Sequence, residues 1–474
     1  MGTITSSGSP VVTASYSRFR RRLILGALVV VVVASIVTTA LVVTRKDSAA
    51  TPAVAAAASA DLPRIGDPAP VLAALSATAP EPTPGALQAQ LAPLLSAPTL
   101  GTGVSAQVVD AASGDVLLDQ DSGSPSTPAS TAKLLTSVAV LTTLDPAHTL
   151  ATTVVQGATP GEVVLVGGGD PTLSRTAPSQ SYPGAATMQD LATQVTAALP
   201  AGTAVTRVVV DNSLYSGPLT ANGWQPGDSP SSYAAPVTAA AVDGARVSPG
   251  STTRSGQPGL DAGVALADAL GAPSATIALG QAPAGAKTLA TVHSAPIARL
   301  VEQALSQSDN MLAEALARQV ALARNLPGSF EGSAKAVIAA LTDAGVDTTG
   351  VTLQDGSGLS RNDRVPAATL AKLVRGAADG SLGTGADFLS GLPVAGYDGT
   401  LADRGDNDPK TGPGTVRAKT GTLLGVHALA GTVVTADGRL LAFAVLADGA
   451  TGSETAAENA LDDVAADLAR CGCR

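Results

Sequence analysis

The run Thr415-Val416-Arg417-Ala418-Lys419-Thr420-Gly421-Thr422-Leu423-Leu424 reads as one extended strand, and what surrounds it decides the fold. A second strand spans His427 to Thr435, a turn falls at Ala436-Asp437-Gly438, and a third strand spans Leu440 to Ala447. A final helix then sets Ala457, Leu461, Val464 and Leu468 on one face at helical spacing. Far upstream, Val104 to Gln120 alternates around Ser113-Gly114-Asp115, as a hairpin does. That hairpin can join the C-terminal strands in one sheet. The fold class expected is α+β, an antiparallel sheet covered by helices.

Helices are predicted between these ends. Pro128-Ala129-Ser130 opens one through Leu134, Leu135, Val138 and Leu141, with proline where its missing N–H costs nothing. Others run from Ile297 to Leu305 and from Met311 to Leu322. Residues 151–290 differ in character. Short strands at Val163 to Val166 and Val205 to Val210, and a helix near Met188 to Ala198, stand among Gly/Pro/Ser-rich loops. They are expected to form a smaller inserted domain, leaving 98–150 and 291–474 as the main one.

The N-terminus points to export. Leu23 to Val43 is 21 residues without a charge, and a helix of that length spans roughly 30 Å, the thickness of a bilayer core. Arg18, Arg20, Arg21 and Arg22 precede it, so the basic arm 1–22 stays cytoplasmic and the bulk lies outside the cell membrane. A single-pass anchor is expected, because the apolar run exceeds that of a cleaved secretion signal, the alternative reading. Residues 44–97, rich in Ala and Pro, read as a mostly unstructured spacer, with short helical turns expected around Val71 to Leu95.

Composition excludes some functions. The 474 residues carry a formal charge of −10 and only ten aromatic side chains (one Trp, five Tyr, four Phe). A nucleic-acid partner is not expected, since no basic excess replaces counterions and few rings can stack on bases. Three histidines without zinc spacing, and two cysteines confined to Cys471-Gly472-Cys473, argue for no metal and no cofactor.

The chemistry lies in the lysines, of which there are seven. Only Lys133 has a serine three residues before it, Ser130, and positions i and i+3 share a helix face. A serine hydroxyl needs a neighbour to take its proton, and a desolvated lysine can be neutral often enough to do so. Such a pair alone is commonplace. Ser308-Asp309-Asn310, at the junction of two helices, adds a hydroxyl and a carboxamide. Lys419-Thr420-Gly421, with Thr422 beyond it, offers a cation and hydroxyls for a carboxylate at a strand edge, where glycine permits close approach. The ordered set S-x-x-K, S-D-N, K-T-G is the penicillin-binding-protein and class A β-lactamase signature. Two decoys exist. Lys410-Thr411-Gly412 lies among Asp and Pro in a loop, and Ser360-Arg361-Asn362 lies in a Gly-rich one. Ser308, Asn310 and Lys419 are preferred because helices and a strand hold groups more rigidly.

With these motifs, and with Gly167-Gly168-Gly169-Asp170-Pro171-Thr172-Leu173, Val210-Asp211-Asn212-Ser213 and Asp355-Gly356-Ser357-Gly358-Leu359-Ser360-Arg361, the chain resembles a known family. These are the serine D-alanyl-D-alanine carboxypeptidase/endopeptidases of the class C low-molecular-mass penicillin-binding proteins (peptidase family S13). The resemblance runs from about residue 100 to the C-terminus. It implies a serine β-lactamase/transpeptidase-like domain with an insertion. It also implies acyl transfer through Ser130 from peptidoglycan stem peptides ending in D-Ala-D-Ala, and inhibition by β-lactams. By the same resemblance Lys133 is the base, Ser308 relays the proton to the leaving amine and Asn310 holds the substrate amide. Lys419 with Thr420 or Thr422 takes the terminal carboxylate, and the backbone N–H groups of Ser130 and Thr422 form the oxyanion hole. A serine β-lactamase and an inactive wall-binding scaffold are the alternatives. No E-x-x-L-N follows Ser308-Asp309-Asn310 to supply the deacylating glutamate of the former.

Overall fold

The computed structural model describes residues 78–404 and 414–473. In chain order its strands are β1 (Val104–Asp110), β2 (Val116–Gln120), β3 (Pro125–Ser126), β4 (Ala151–Gln156), β5 (Glu162–Val166) and β6 (Arg207–Asp211). They continue as β7 (Thr276–Leu279), β8 (Thr288–His293), β9 (Val365–Pro366), β10 (Val416–Leu423), β11 (Val426–Val434) and β12 (Leu440–Asp448). The hairpin joins the C-terminal strands as expected, in the order β10-β11-β12-β1-β2. Every pairing in this sheet is antiparallel.

Period-2 alternation puts a different core on each face. Ala442, Ala444 and Leu446 of β12, with Ala428 and Ala430 of β11, pack on helix Ala367–Ala378 and share one buried core with helices Ala132–Thr143, Asn310–Ala323 and Phe330–Asp343. Leu441, Phe443 and Val445 turn the other way, against the C-terminal helix Glu454–Arg470. Alanine dominates the first face, which lets the helical layer that carries the site lie close to the sheet.

A helix at Pro84–Leu95 also covers the second face, so the helical turns expected around Val71 to Leu95 include a three-turn helix that belongs to the folded core and not to the spacer 44–97. Thr83 caps it, proline occupies its first turn, and Leu87, Leu91 and Leu95 follow at four-residue spacing, each at most 2% exposed. Alanine and proline around those leucines hid the apolar stripe. The bridged pair Cys471–Cys473 is buried in the same core. Among the described residues no helix is long and apolar enough to cross a membrane. Leu23 to Val43 and Lys410-Thr411-Gly412 lie outside them.

The second sheet draws all five strands from residues 151–293, in the order β7-β6-β5-β4-β8. It is mixed: β5 pairs with β6, and β6 with β7, in parallel. Strands β4, β7 and β8 were missed by periodicity because they are short and rich in Thr and Ala. This part of the chain is not sealed off from the rest. Ala221, Ala234, Ala235, Val237 and Ala245 share a buried cluster with Met311, Phe330 and Leu359.

Candidate active site

Ser130 sits in a single turn, Ala129–Thr131, leading into the helix Ala132–Thr143. Ten consecutive residues of that helix, Ala132 to Leu141, are buried. A helix buried on every side lies in the middle of a protein, and this one anchors Ser130 while leaving it partly exposed to a cleft of about 660 Å³. Ala129, just before it, holds φ at +46°, a left-handed conformation that a residue with a Cβ adopts only when its surroundings enforce it. Gly358 is part of that enforcement. A Cβ there would lie 1.9 Å from the Ala129 carbonyl oxygen, and its own φ is +79°.

Lys133 is 1% exposed, and its Nζ has three oxygen neighbours. Asn310 Oδ1 lies at 2.6 Å, the Ser357 carbonyl at 2.8 Å and Ser130 Oγ at 2.9 Å. The first two can only accept, and Asn310 is held in that orientation because its Nδ2 donates to the Tyr233 carbonyl at 3.1 Å. A neutral amine has two hydrogens, and both are taken up by Asn310 and Ser357. Its lone pair is therefore left for the Ser130 hydroxyl. Burial favours that neutral form, bringing the Lys133 pKa down to about 8 against the opposing pull of Asp355, Glu314 and Asp309.

The Ser357 carbonyl is presented by a loop that carboxylates hold from beneath. Asp355 accepts from the amides of Ser357, Gly358 and Ser360 and from the Trp224 indole. Glu314 accepts from the amides of Gly356 and Ser357 and pairs with Arg318 at 3.1 Å, both side chains being at most 1% exposed. Burial, with Asp355 nearby, still pushes the Glu314 pKa up to about 7.

The two preferred motifs meet across the cleft. Lys419 Nζ donates to Ser308 Oγ at 2.9 Å and to the Thr420 carbonyl at 2.9 Å. Burial lowers the Lys419 pKa well below its ordinary value, and the neighbouring Lys133 and Arg404 add to that. A bound carboxylate would reverse the shift. Ser308 has φ of +51° and precedes Asp309, which caps the helix Asn310–Ala323 through the amides of Met311 and Leu312.

Thr420 and Thr422 owe their place to strand geometry. β10 is an edge strand, and on its open side the Ala418 amide donates to the Pro393 carbonyl while the Val416 carbonyl accepts from Ala395. Backbone groups on a strand repeat their direction every second residue. The amides of Thr420 and Thr422 therefore also face outward, toward the cleft that both residues line. The Thr422 hydroxyl is engaged by Glu458 at 3.1 Å, and it is Thr420 that meets a second hydroxyl, Thr400, at 2.9 Å. Gly421 serves packing, since a Cβ there would come within 2.9 Å of the Pro128 carbonyl, pressing on the Ser130 turn.

Ser130, Lys133, Ser308, Asn310, Lys419, Thr420, Gly421 and Thr422 thus converge. Ser360 does not, because its hydroxyl donates to the Asn222 carbonyl away from Lys133. Sequence reading missed the Ser357 and Tyr233 carbonyls, Thr400 and Glu314. Only the Asp-Gly-Ser-Gly segment carried a signal, and it gave no role. The Gly358 contact yields a prediction. Gly358→Ala meets both the left-handed penalty, about 1 kcal/mol or more, and overpacking of about 1–3 kcal/mol. Urea unfolding should register a loss of that size, and kcat/KM should fall roughly 10²-fold as the turn is displaced.

Residues 87–269 and 250–470 match the profile of the D-Ala-D-Ala carboxypeptidase 3 (S13) family. The chain is 43% identical over 422 residues to carboxypeptidase DacB of Mycolicibacterium smegmatis, covering 87% of this chain and 89% of that one. It is 30% identical over 449 residues to the D-alanyl-D-alanine carboxypeptidase of Actinomadura sp., covering 76% and 80%. In fold it is similar to penicillin-binding protein 4 of Haemophilus influenzae in complex with a β-lactam. That likeness has a TM-score of 0.62 at 21% identity and covers 80% of this chain and 98% of the other.

Proposed function

The chain belongs to the D-Ala-D-Ala carboxypeptidase 3 (S13) family, and from that premise we propose how its residues divide the work. It is a serine-type D-Ala-D-Ala carboxypeptidase/endopeptidase acting on peptidoglycan stem peptides. Ser130 is the nucleophile and neutral Lys133 the base. The Ser130 hydroxyl gives its proton to Lys133 Nζ while its oxygen attacks the carbonyl of the penultimate D-alanine. The amides of Ser130 and Thr422 hold the oxyanion, a contribution of about 3 kcal/mol per donor. The carbon–nitrogen bond then breaks, and the proton passes by way of Ser308 to the departing amine. Asn310 holds the substrate amide and Lys419 with Thr420 the terminal carboxylate. Water releases the acyl group from Ser130. The Leu23 to Val43 segment anchors the enzyme outside the cell membrane, a role resting on its 21 uncharged residues and the arginines before it.

The observation that supports these roles most strongly is the saturation of Lys133 by two acceptors, which turns its lone pair to Ser130. β-Lactams mimic the acyl dipeptide and should leave a stable adduct. Incubation with penicillin is expected to add one β-lactam mass to the intact protein, mapped to the peptide that contains Ser130. Absence of the adduct, or its location elsewhere, would refute the assignment.

A further inference from the structure

Behind the corner formed by Ser308, Asp309 and Asn310 lies a second cavity of about 390 Å³. It shares Tyr233, Ser308 and Asn310 with the catalytic cleft, so these three residues border both spaces. Its wall carries two arginines. Arg254 is 7% exposed; it reaches Asp309 at 3.5 Å and the Gly244 carbonyl, while its Nε has no hydrogen-bond partner. Arg246 lies over the Tyr182 ring at 5.4 Å and donates to the Tyr182 hydroxyl and the Asp243 carbonyl. Among the described residues no carboxylate comes within ion-pair distance of it.

The one carboxylate in the wall is already engaged. Asp309 accepts from the Tyr182 hydroxyl at 2.7 Å and from the amides of Met311 and Leu312. Two cations thus face one occupied anion, an excess of a single positive charge in a protein whose formal charge is −10. A monoanion balances that excess, and a planar carboxylate suits the guanidinium fork better than a dianionic phosphate needing more charge.

We propose that this cavity is the subsite for the leaving strand when the bond cut is a cross-link between two stem peptides, with a carboxylate of the released stem held by Arg246 and Arg254. The proposal rests on the acyl-transfer reading above. A lone D-alanine leaving group ends at Lys419 and Thr420. A released stem continues past its amine and needs room on the far side of Ser308, which this cavity supplies. The bond changes are unaltered: the acyl carbon–nitrogen bond breaks, the ester to Ser130 forms, and the proton of Ser130 ends on the released amine.

The test compares the full-length enzyme and Arg246→Gln on a cross-linked peptide dimer with free carboxylates, on the same dimer with the released stem amidated at every carboxylate except the one beside the scissile bond, and on a pentapeptide. In Arg246→Gln the ratio of dimer to pentapeptide kcat/KM should fall about tenfold or more through KM, as for loss of a charge-assisted contact. Arg246→Lys should recover part of the loss. The wild-type enzyme should show a similar loss on the amidated dimer, a measurement that needs no variant to fold. An equal fall on both substrates, no fall, or indifference to amidation would overturn the subsite, as would release of D-alanine with neither dimer cut. Failure of both D-alanine release and penicillin acylation would instead overturn the acyl-transfer reading.

Discussion

Ser130→Ala is expected to lower kcat/KM for D-alanine release at least about 10⁴-fold, a loss of roughly 5 kcal/mol of transition-state stabilisation. Removal of a nucleophile leaves only what substrate positioning and oxyanion stabilisation supply. The fold should hardly notice. Ser130 is partly exposed, and among the described residues its hydroxyl is hydrogen-bonded only to Lys133, which keeps Asn310 and Ser357 as partners. Stability should therefore stay within about 0.5 kcal/mol of wild type, and the penicillin adduct should vanish from a protein that unfolds normally. An unchanged rate of D-alanine release would place the nucleophile elsewhere.

Lys133→Met is the second large effect. The thioether fills much of the same space but can neither take a proton nor donate one, and loss of a positioned base typically costs about 10²–10⁴-fold. The upper end is expected, because Asn310 Oδ1 and the Ser357 carbonyl also lose their donor. The pH profile supplies an independent check. Acylation requires the neutral amine, and Lys133 titrates near 8. In the wild type, kcat/KM should climb with pH, about tenfold per unit below that value, and level off above it. Lys133→Met should flatten this limb, and a wild-type rate insensitive to pH between roughly 6 and 9 would exclude Lys133 as the base.

Stability carries the opposite face of the same shift. The folded-state pKa lies below the ordinary value of 10.5, so between about 8 and 10.5 the unfolded chain binds a proton that the native protein does not. The wild type should therefore gain stability as pH rises through that window, and Lys133→Met should show a smaller gain, keeping only the part that Lys419 supplies through its own lowered pKa. Urea midpoints for both proteins at the two ends of the window measure the difference.

The main sheet was legible because its strands alternate and its turns carry glycine beside polar residues. The Ala132–Thr143 helix was legible because a proline precedes a long apolar run. The Pro84–Leu95 helix was legible only as short helical turns, since three leucines among alanine and proline are too weak a stripe to mark a full helix without the core they enter. The second sheet was half hidden for a related reason. Its parallel pairs are stabilised by partners tens of residues away, and short Thr- and Ala-rich segments do not announce such pairings.

The sequence by itself determined which side chains are the candidates for the chemistry, since the S-x-x-K, S-D-N and K-T-G spacings are local and residue identity alone records a hydroxyl, an amine and a second cation. Tertiary structure decided how those candidates are held. The Ser357 and Tyr233 carbonyls that set the orientation of Lys133 and Asn310 belong to the backbone, and any residue type supplies a carbonyl. The excess charge behind Ser308 arises because Arg246 and Arg254, more than fifty residues upstream, fold against Asp309. Burial does the rest: a lysine is an ordinary cation until packing removes water from it, and no local pattern records how much water a position will lose.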